Sequence, residues 1–199
     1  YTGFPEMEGG LVKTLHPKIH AGILGERNNP EHQKYINETI GGFYIDMVVV
    51  NLYPFEKTIQ KPGVSIEEVI ENIDIGGPSM LRSAAKNHRS VAVICNPERY
   101  GQAITELKKH KGSLSEEFMR DLGIEVFTRT SQYDGAIYDY LSKNLSNTSN
   151  GFPQKLNLSF SKIQDLRYGE NPHQKAAFYS DAGRSAGLAN IKQLWGKEL

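Results

Sequence analysis

Two short apolar runs and a series of amphipathic segments dominate the first 145 residues. The runs Ile45–Asn51 and Val91–Cys95 are almost continuously apolar and rich in β-branched side chains, which is typical of strands covered on both faces. The longest helical pattern begins after Ser113 or Ser115 and repeats apolar residues at three- and four-residue steps to about Leu145. Strands that alternate with helices predict an α/β fold, a layered domain with a mainly parallel sheet.

Local signals mark where several helices begin. Ser65 opens a capping box, which predicts a helix to about Asn72. Proline is favoured at the first position of a helix, and each of the three remaining predicted helices begins at a proline. These remaining predictions cover Pro30–Ile40, Pro78–Lys86 and Pro97–His110.

The chain changes character near residue 145. Asn144–Gln154 is polar and uncharged and contains Gly and Pro together, which indicates a linker. Lys155–Ser161 then alternates in the pattern of a half-buried strand. The last forty or so residues are too few to close a core. We therefore predict one domain over 1–145, a linker over 146–155 and the start of a second domain over 156–199.

Composition narrows the class of protein. The 23 Lys and Arg residues balance 23 Asp and Glu residues, so no net charge favours nucleic acid or an anionic membrane as a partner. A single cysteine, Cys95, excludes an internal disulfide framework, and the histidines lack metal-ligand spacing, so no metal is assigned. With no leader and no apolar run of about 18 residues, we expect a cytoplasmic protein with no nucleic-acid or membrane partner.

Two segments in the first half have side chains suited to ligand binding. Glycines beside Lys13 and Thr14 can bring backbone N–H groups, an ammonium and a hydroxyl onto an anion, although a solvated turn is the alternative. Asn51 and Tyr53 follow the first predicted strand, and ligands bind beyond the carboxyl ends of parallel strands. A simple Tyr-Pro turn is equally compatible with the second segment.

Two further segments contain charged side chains that are suited to ligand binding. Asp74 either caps the following helix or presents a carboxylate beside Gly76, which lets a substrate approach the backbone. Lys86 closes that helix, where a cation complements the helix dipole, so a structural lysine is the default interpretation. It lies more than about 10 Å from Asp74, so as functional groups the two would address opposite ends of one substrate or a substrate shared with another chain. Arg167 and Tyr168 can clamp a phosphate or stack on a heterocycle, or simply belong to a turn.

A family resemblance rests on four segments in chain order, Val12–Pro17, Asn51–Phe55, Asp74–Asn87 and Leu166–Gln174. Together they closely resemble the bifunctional purine-biosynthesis proteins that combine IMP cyclohydrolase with AICAR formyltransferase, over essentially the whole chain. The resemblance implies a methylglyoxal-synthase-like domain over 1–145 that lacks its N-terminal segment. It also implies that 156–199 begins an α/β formyltransferase domain, so that the chain is truncated at both ends.

The resemblance further implies roles for single residues. Lys86 matches the proton donor/acceptor of the cyclisation, and Lys13, Tyr53 and Asp74 match its catalytic companions. In the first domain, the predicted substrate-binding residues are Leu11, Val12, Lys13, Thr14, Val50, Asn51, Asp74, Ile75 and Gly76. We expect the loops near positions 13, 52 and 75 to gather at one rim of the sheet.

The implied chemistry is ring closure of formyl-AICAR to IMP with loss of water, which needs a proton acceptor, a donor and fixed reacting groups but no cofactor. In the second domain, Arg167 and Tyr168 match residues that hold AICAR, and 10-formyltetrahydrofolate is the cosubstrate, its site lying outside this chain. A homodimer is also implied. Leu11 replaces the usual Arg and removes a phosphate-pairing guanidinium. A non-catalytic nucleotide-binding module therefore stays open, and we expect the chain alone to be nearly inactive.

Overall fold

A computed structural model describes residues 1–10, 12–145, 155–181, 187–192 and 194–197. The chain divides into two units, Tyr1–Asn144 and Leu145–Leu199. The linker predicted over 146–155 lies outside the described residues except for Lys155, so the predicted domain boundaries stay a prediction.

Short strands and helices alternate along the first unit. Three single turns of other helix types accompany them: 3₁₀ turns at Glu8–Gly10 and Pro97–Arg99, and a π-helical turn at Tyr35–Thr39. The regular elements are α1 (Pro17–Leu24), α2 (Pro30–Lys34), β1 (Met47–Val49), α3 (Phe55–Thr58), α4 (Ile66–Glu71), α5 (Gly76–Lys86), β2 (Ala92–Ile94), α6 (Tyr100–Lys109) and α7 (Glu116–Leu145).

β1 and β2 form a parallel pair in which Val48 lies opposite Val93. Helices pack against this pair and supply most of the core, so the predicted α/β class with a parallel sheet is confirmed. Each fully buried aliphatic side chain contributes about 1.5–3 kcal/mol. The main core cluster includes Ile23, Val48, Leu81, Val91, Val93, Leu122 and Val126.

β1 differs from its predicted burial on both faces. Only Val48 is buried, whereas Met47 and Val49 are 36% and 48% exposed. Successive side chains of a strand point to opposite faces, so Met47 and Val49 share the face that the described residues leave uncovered. A continuous apolar run therefore did not guarantee that both faces are covered.

The helix predictions succeed to within two residues. Ser65 Oγ accepts the Glu68 N–H at 3.1 Å, which confirms the capping box of α4. α5 begins at Gly76 rather than at the predicted Pro78. The physical reason is that Asp74 Oδ1 accepts the Gly77 N–H at 2.8 Å. Pro78 then occupies the first turn, where a missing N–H costs no helical hydrogen bond.

The second unit contains an antiparallel pair, β3 (Phe160–Leu166) and β4 (Ala176–Asp181), with a 3₁₀ turn at Leu188–Asn190. The strand predicted over Lys155–Ser161 is wrong in position, because β3 begins only at Phe160. It is also wrong in burial, since every residue of β3 except the last is exposed. No helix in the described part of the chain is long and apolar enough to cross a membrane.

Candidate functional site

Three loops meet at the carboxyl end of the β1–β2 pair. α5 leads into β2 through a short turn, so its N-terminus lies at the edge where β1 ends. The Tyr53 N–H donates to Asp74 Oδ2 at 3.4 Å. Thr14 Oγ1 lies so close to Gly76 that a Cβ at this glycine would collide with it. The structure therefore brings together Thr14, Tyr53, Asp74 and Gly76 in what we call the rim.

Asp74 is the most constrained residue of the rim. Its two carboxylate oxygens accept the N–H groups of Gly77 and Tyr53, and its own N–H donates to Tyr133 Oη at 2.9 Å. Tyr133 is fully buried and its hydroxyl donates to the Asn72 carbonyl at 3.2 Å. Burial raises the pKa of Tyr133, which keeps the phenol protonated for that bond. The Asp74 carboxylate is thus a helix cap with a fixed orientation.

The loop after β1 carries the predicted residues Val50, Asn51 and Tyr53. The Val50 N–H donates to the Ile94 carbonyl at 3.0 Å, which continues the parallel pairing. Asn51 is exposed, and its amide donates to Tyr100 Oη at 3.1 Å. The Tyr53 side chain is 55% exposed. Both polar side chains are therefore open to a ligand at the rim.

The glycine-rich segment supplies a cation and a strained backbone. Lys13 Nζ lies 3.2 Å from Glu6 Oε2, and both side chains are more than half exposed. Val12 has φ of 56°, a left-handed conformation that is costly for a β-branched residue. Leu11 lies outside the described residues, so the effect of the missing Arg is not seen in the structure.

Lys86 is not brought to the rim. It is exposed at the last position of α5, and eleven helical residues span about 16 Å. Asn87, next in the chain, donates its amide to the Ile23 carbonyl at 2.8 Å, which attaches this end of α5 to α1. Ile75, by contrast, is at the rim and 59% exposed.

Arg167 and Tyr168 belong to the second unit. They follow β3 directly and both side chains are exposed. The turn beyond them closes with the Gly169 N–H donating to the Gln174 carbonyl at 2.9 Å. Their position in an ordered turn leaves both side chains accessible.

Sequence reasoning missed a cavity of about 580 Å³ beside the rim, which Asn51 helps to line. Glu56 and Arg129 form a two-pronged ion pair in its wall although they are 73 positions apart. Burial opposes ionisation of Glu56, but the Arg129 hydrogen bonds hold its pKa below the ordinary value. Burial raises the pKa of the lining Cys95 thiol. No local sequence pattern could have revealed a pair formed by two distant helices.

Family models match almost the whole chain. Residues 84–199 match the AICARFT/IMPCHase bienzyme model, and residues 1–79 match the MGS-like domain model. A solved structure titled "Crystal structure of ForH" is 29% identical and superposes with a TM-score of 0.62. That match covers 73% of this chain and 74% of the other. The gap between the two family matches falls inside α5, so Asp74 and Lys86 lie in different matches.

Proposed function

Because this chain belongs to the AICARFT/IMPCHase bienzyme family of purine biosynthesis, we propose that its first unit closes the ring of formyl-AICAR to give IMP. The observation that carries the proposal is the rim, where three loops from distant parts of the chain surround one oriented carboxylate. An enzyme that closes a ring needs such fixed groups more than it needs a cofactor, since nucleophile and electrophile belong to one molecule.

The nucleotide phosphate is proposed to bind beside Lys13 and Thr14. Thr14 Oγ1 lies at the N-terminus of α5, where the helix dipole favours an anion. The ion pair of Lys13 with Glu6 is exposed, and such surface pairs contribute less than about 1 kcal/mol. The ammonium can therefore exchange Glu6 for a phosphate at little cost.

The ring-closing groups are proposed to be Asp74 and Tyr53. The carboxamide nitrogen attacks the formyl carbon and loses a proton, and the formyl oxygen gains a proton to become a hydroxyl group. The formamide nitrogen then loses its proton as the C–N double bond forms, and the hydroxyl gains a second proton and leaves as water. The fixed Asp74 carboxylate is suited to orient the carboxamide N–H group. The exposed Tyr53 phenol is suited to donate to the oxygen where negative charge develops.

Lys86 is proposed as the proton donor/acceptor, as the resemblance implies. Because it lies at the far end of α5 from Asp74, we assign it to a substrate shared between two copies in a homodimer. In the second unit, the accessible Arg167 and Tyr168 are proposed to hold AICAR during formyl transfer from 10-formyltetrahydrofolate. The folate is a cosubstrate of the formyl transfer only, and the cyclisation requires no cofactor.

A non-catalytic nucleotide-binding module is the second candidate. Two observations favour it. Both Asp74 carboxylate oxygens already accept backbone N–H groups, as an ordinary helix cap would, and Lys86 is remote from them. Such a module would use the same rim to bind a nucleotide without turning it over.

Titration calorimetry with IMP, run beside an absorbance assay of ring closure on the natural full-length protein, separates these functions. If the protein is the proposed enzyme, IMP binds and the assay detects ring closure. Lys13→Gln is then expected to weaken IMP binding by about tenfold, because a phosphate contact is lost. The exposed Lys109→Gln serves as the matched control and is expected to bind normally. Binding without product would favour the module. Absence of both would overturn the rim as a nucleotide site.

A further inference from the structure

A second cavity, of about 370 Å³, lies at the end of α5 opposite the rim. Two elements enclose it, the turn between α5 and β2 and the first turns of α7. The sequence analysis assigned no function to any residue of its lining. The lining consists of His88, Arg89, Glu116, Met119 and Arg120.

The arginines of this cavity differ from the others of the first unit. Arg27, Arg99 and Arg129 each pair with a carboxylate, and Arg82 lies over the Phe127 ring. Within the described residues, the exposed side chains of Arg89 and Arg120 have no ion pair, hydrogen bond or ring contact. Two guanidinium groups are therefore available to a ligand.

Charge in the cavity is positive on balance. Glu116 is the single acidic residue of the lining, and it does not pair with Arg120 in the described structure although the two are one helical turn apart. The 30-residue helix α7 begins at Glu116, so its positive dipole end adds to the two arginines. An anionic ligand is favoured over a neutral or cationic one.

His88 adds a polar group in a fixed position. Its Nδ1 lies 3.1 Å from the Ala85 carbonyl, which can only accept, so Nδ1 carries the hydrogen. The other ring nitrogen, Nε2, makes no hydrogen bond within the described residues and is left for a ligand. Gly123 makes room for this ring, because a Cβ there would lie 3.1 Å from the His88 Cβ.

We propose that Arg89, Arg120 and His88 bind a phosphate group. The guanidinium fork matches phosphate oxygens in pairs, and a tetrahedral anion has enough oxygens for two forks and one imidazole. Ligand pockets range from about 300 to 1,000 Å³, so this cavity admits a phosphate with a small substituent. The group belongs either to free phosphate or to a nucleotide. This site is separate from the rim and does not rest on the proposed cyclisation.

Calorimetry on the 199-residue chain carrying Lys13→Gln tests the proposal with inorganic phosphate, because this variant weakens the rim. We expect binding that the added pair Arg89→Gln and Arg120→Gln weakens by at least about tenfold, since each bidentate contact is charge-assisted. Arg82→Gln, an arginine outside the cavity, is the matched control and is expected to leave the affinity unchanged. Equal binding after the double replacement, or no binding before it, would overturn the site.

The ligand source is distinguished by repeating the titrations with IMP and inosine. Tighter binding of IMP than of phosphate, lost in the arginine double variant, identifies a nucleotide phosphate. Binding of phosphate and IMP with equal affinity identifies the free ion. Inosine has no phosphate, so binding of inosine as tight as that of IMP would contradict a phosphate site.

Discussion

The two ends of α5 have very different surroundings. At the Gly76 end, Thr14 and Asp74 approach the first turn, and the carboxylate is bonded to two backbone N–H groups. At the other end, Lys86 and Arg89 are exposed charges without such bonds in the described residues. About 16 Å of helix separates these ends. The comparison teaches that one helix holds a fixed carboxylate at its first turn and exposed, unpaired charges at and just beyond its last residue.

The largest expected effect is that of Lys86→Ala on ring closure. If Lys86 transfers the proton, kcat in the natural full-length protein falls by about three orders of magnitude. Stability changes little, because the side chain is exposed. An absorbance assay and thermal unfolding measure the two quantities, with Lys109→Ala as the control. Undiminished turnover would remove the role proposed for Lys86.

A mixing experiment tests whether Lys86 and Asp74 of two different chains act on the same substrate. If the two ends of α5 serve one substrate across a dimer, mixing Lys86→Ala protein with Asp74→Asn protein restores part of the activity. Some mixed dimers then contain one intact site. If both ends act within one chain, the mixture stays as inactive as its components.

Replacing Asp74 is expected to have the next largest effect, on both stability and activity. Asp74→Ala removes the cap of α5, so the free energy of unfolding falls by about 1–2 kcal/mol. Asp74→Asn keeps a capping oxygen and therefore most of the stability, but it removes the negative charge. We expect both variants to lose about 100-fold in kcat/KM if the carboxylate orients the substrate. Full activity in Asp74→Asn would show that Asp74 only caps α5 and that its charge does not act on the substrate.

Tyr133→Phe tests how the rim is supported from the core. The buried hydroxyl accepts the Asp74 N–H and donates to the Asn72 carbonyl, so its loss leaves two backbone groups without this partner. We expect the free energy of unfolding to fall by about 1–3 kcal/mol in urea titrations. Tyr35→Phe, at a tyrosine that is 46% exposed, is the control. Equal loss in both variants would contradict the supporting role.

The smallest effect is expected from the Glu56–Arg129 pair beside the rim. Burial raises the pKa of Glu56, but the hydrogen bonds and charge of Arg129, together with a backbone hydrogen bond, outweigh burial and hold the folded-state pKa below its ordinary value of 4.5. The pair therefore stabilises the fold above that pH, and the contribution is lost as pH falls through the folded pKa. Since both side chains are about one-third exposed, we expect less than about 1 kcal/mol.

Urea titrations of Glu56→Gln and wild type over a range of pH measure this contribution. The difference in unfolding free energy is expected to be largest near neutral pH and to vanish once the pH has fallen below the folded-state pKa of Glu56, which lies under the ordinary 4.5. Glu71→Gln, an exposed carboxylate on α4, is the control. A difference that does not depend on pH would show that the carboxylate charge is not involved.

Much of the first unit was predictable because its signals are local. The apolar runs around Val48 and Val93, the capping box at Ser65 and the periodicity of α7 each specify structure within a few residues. The start of α5 was predicted at Pro78, two residues too late. The hydrogen bond that caps the helix joins Asp74 to Gly77, and both residues precede this proline. β3 was misplaced because alternation indicates a strand but does not fix its ends.

The sequence by itself determined the fold class, the family and the chemical types at the rim, because these depend on the order of residues and on motifs within short segments. Only the tertiary structure decided that Thr14 lies against Gly76, that Glu56 meets Arg129 and that Arg89 and Arg120 line one cavity. Each of these contacts joins distant parts of the chain. Packing of the helices on the parallel strands creates them, and no local pattern encodes them.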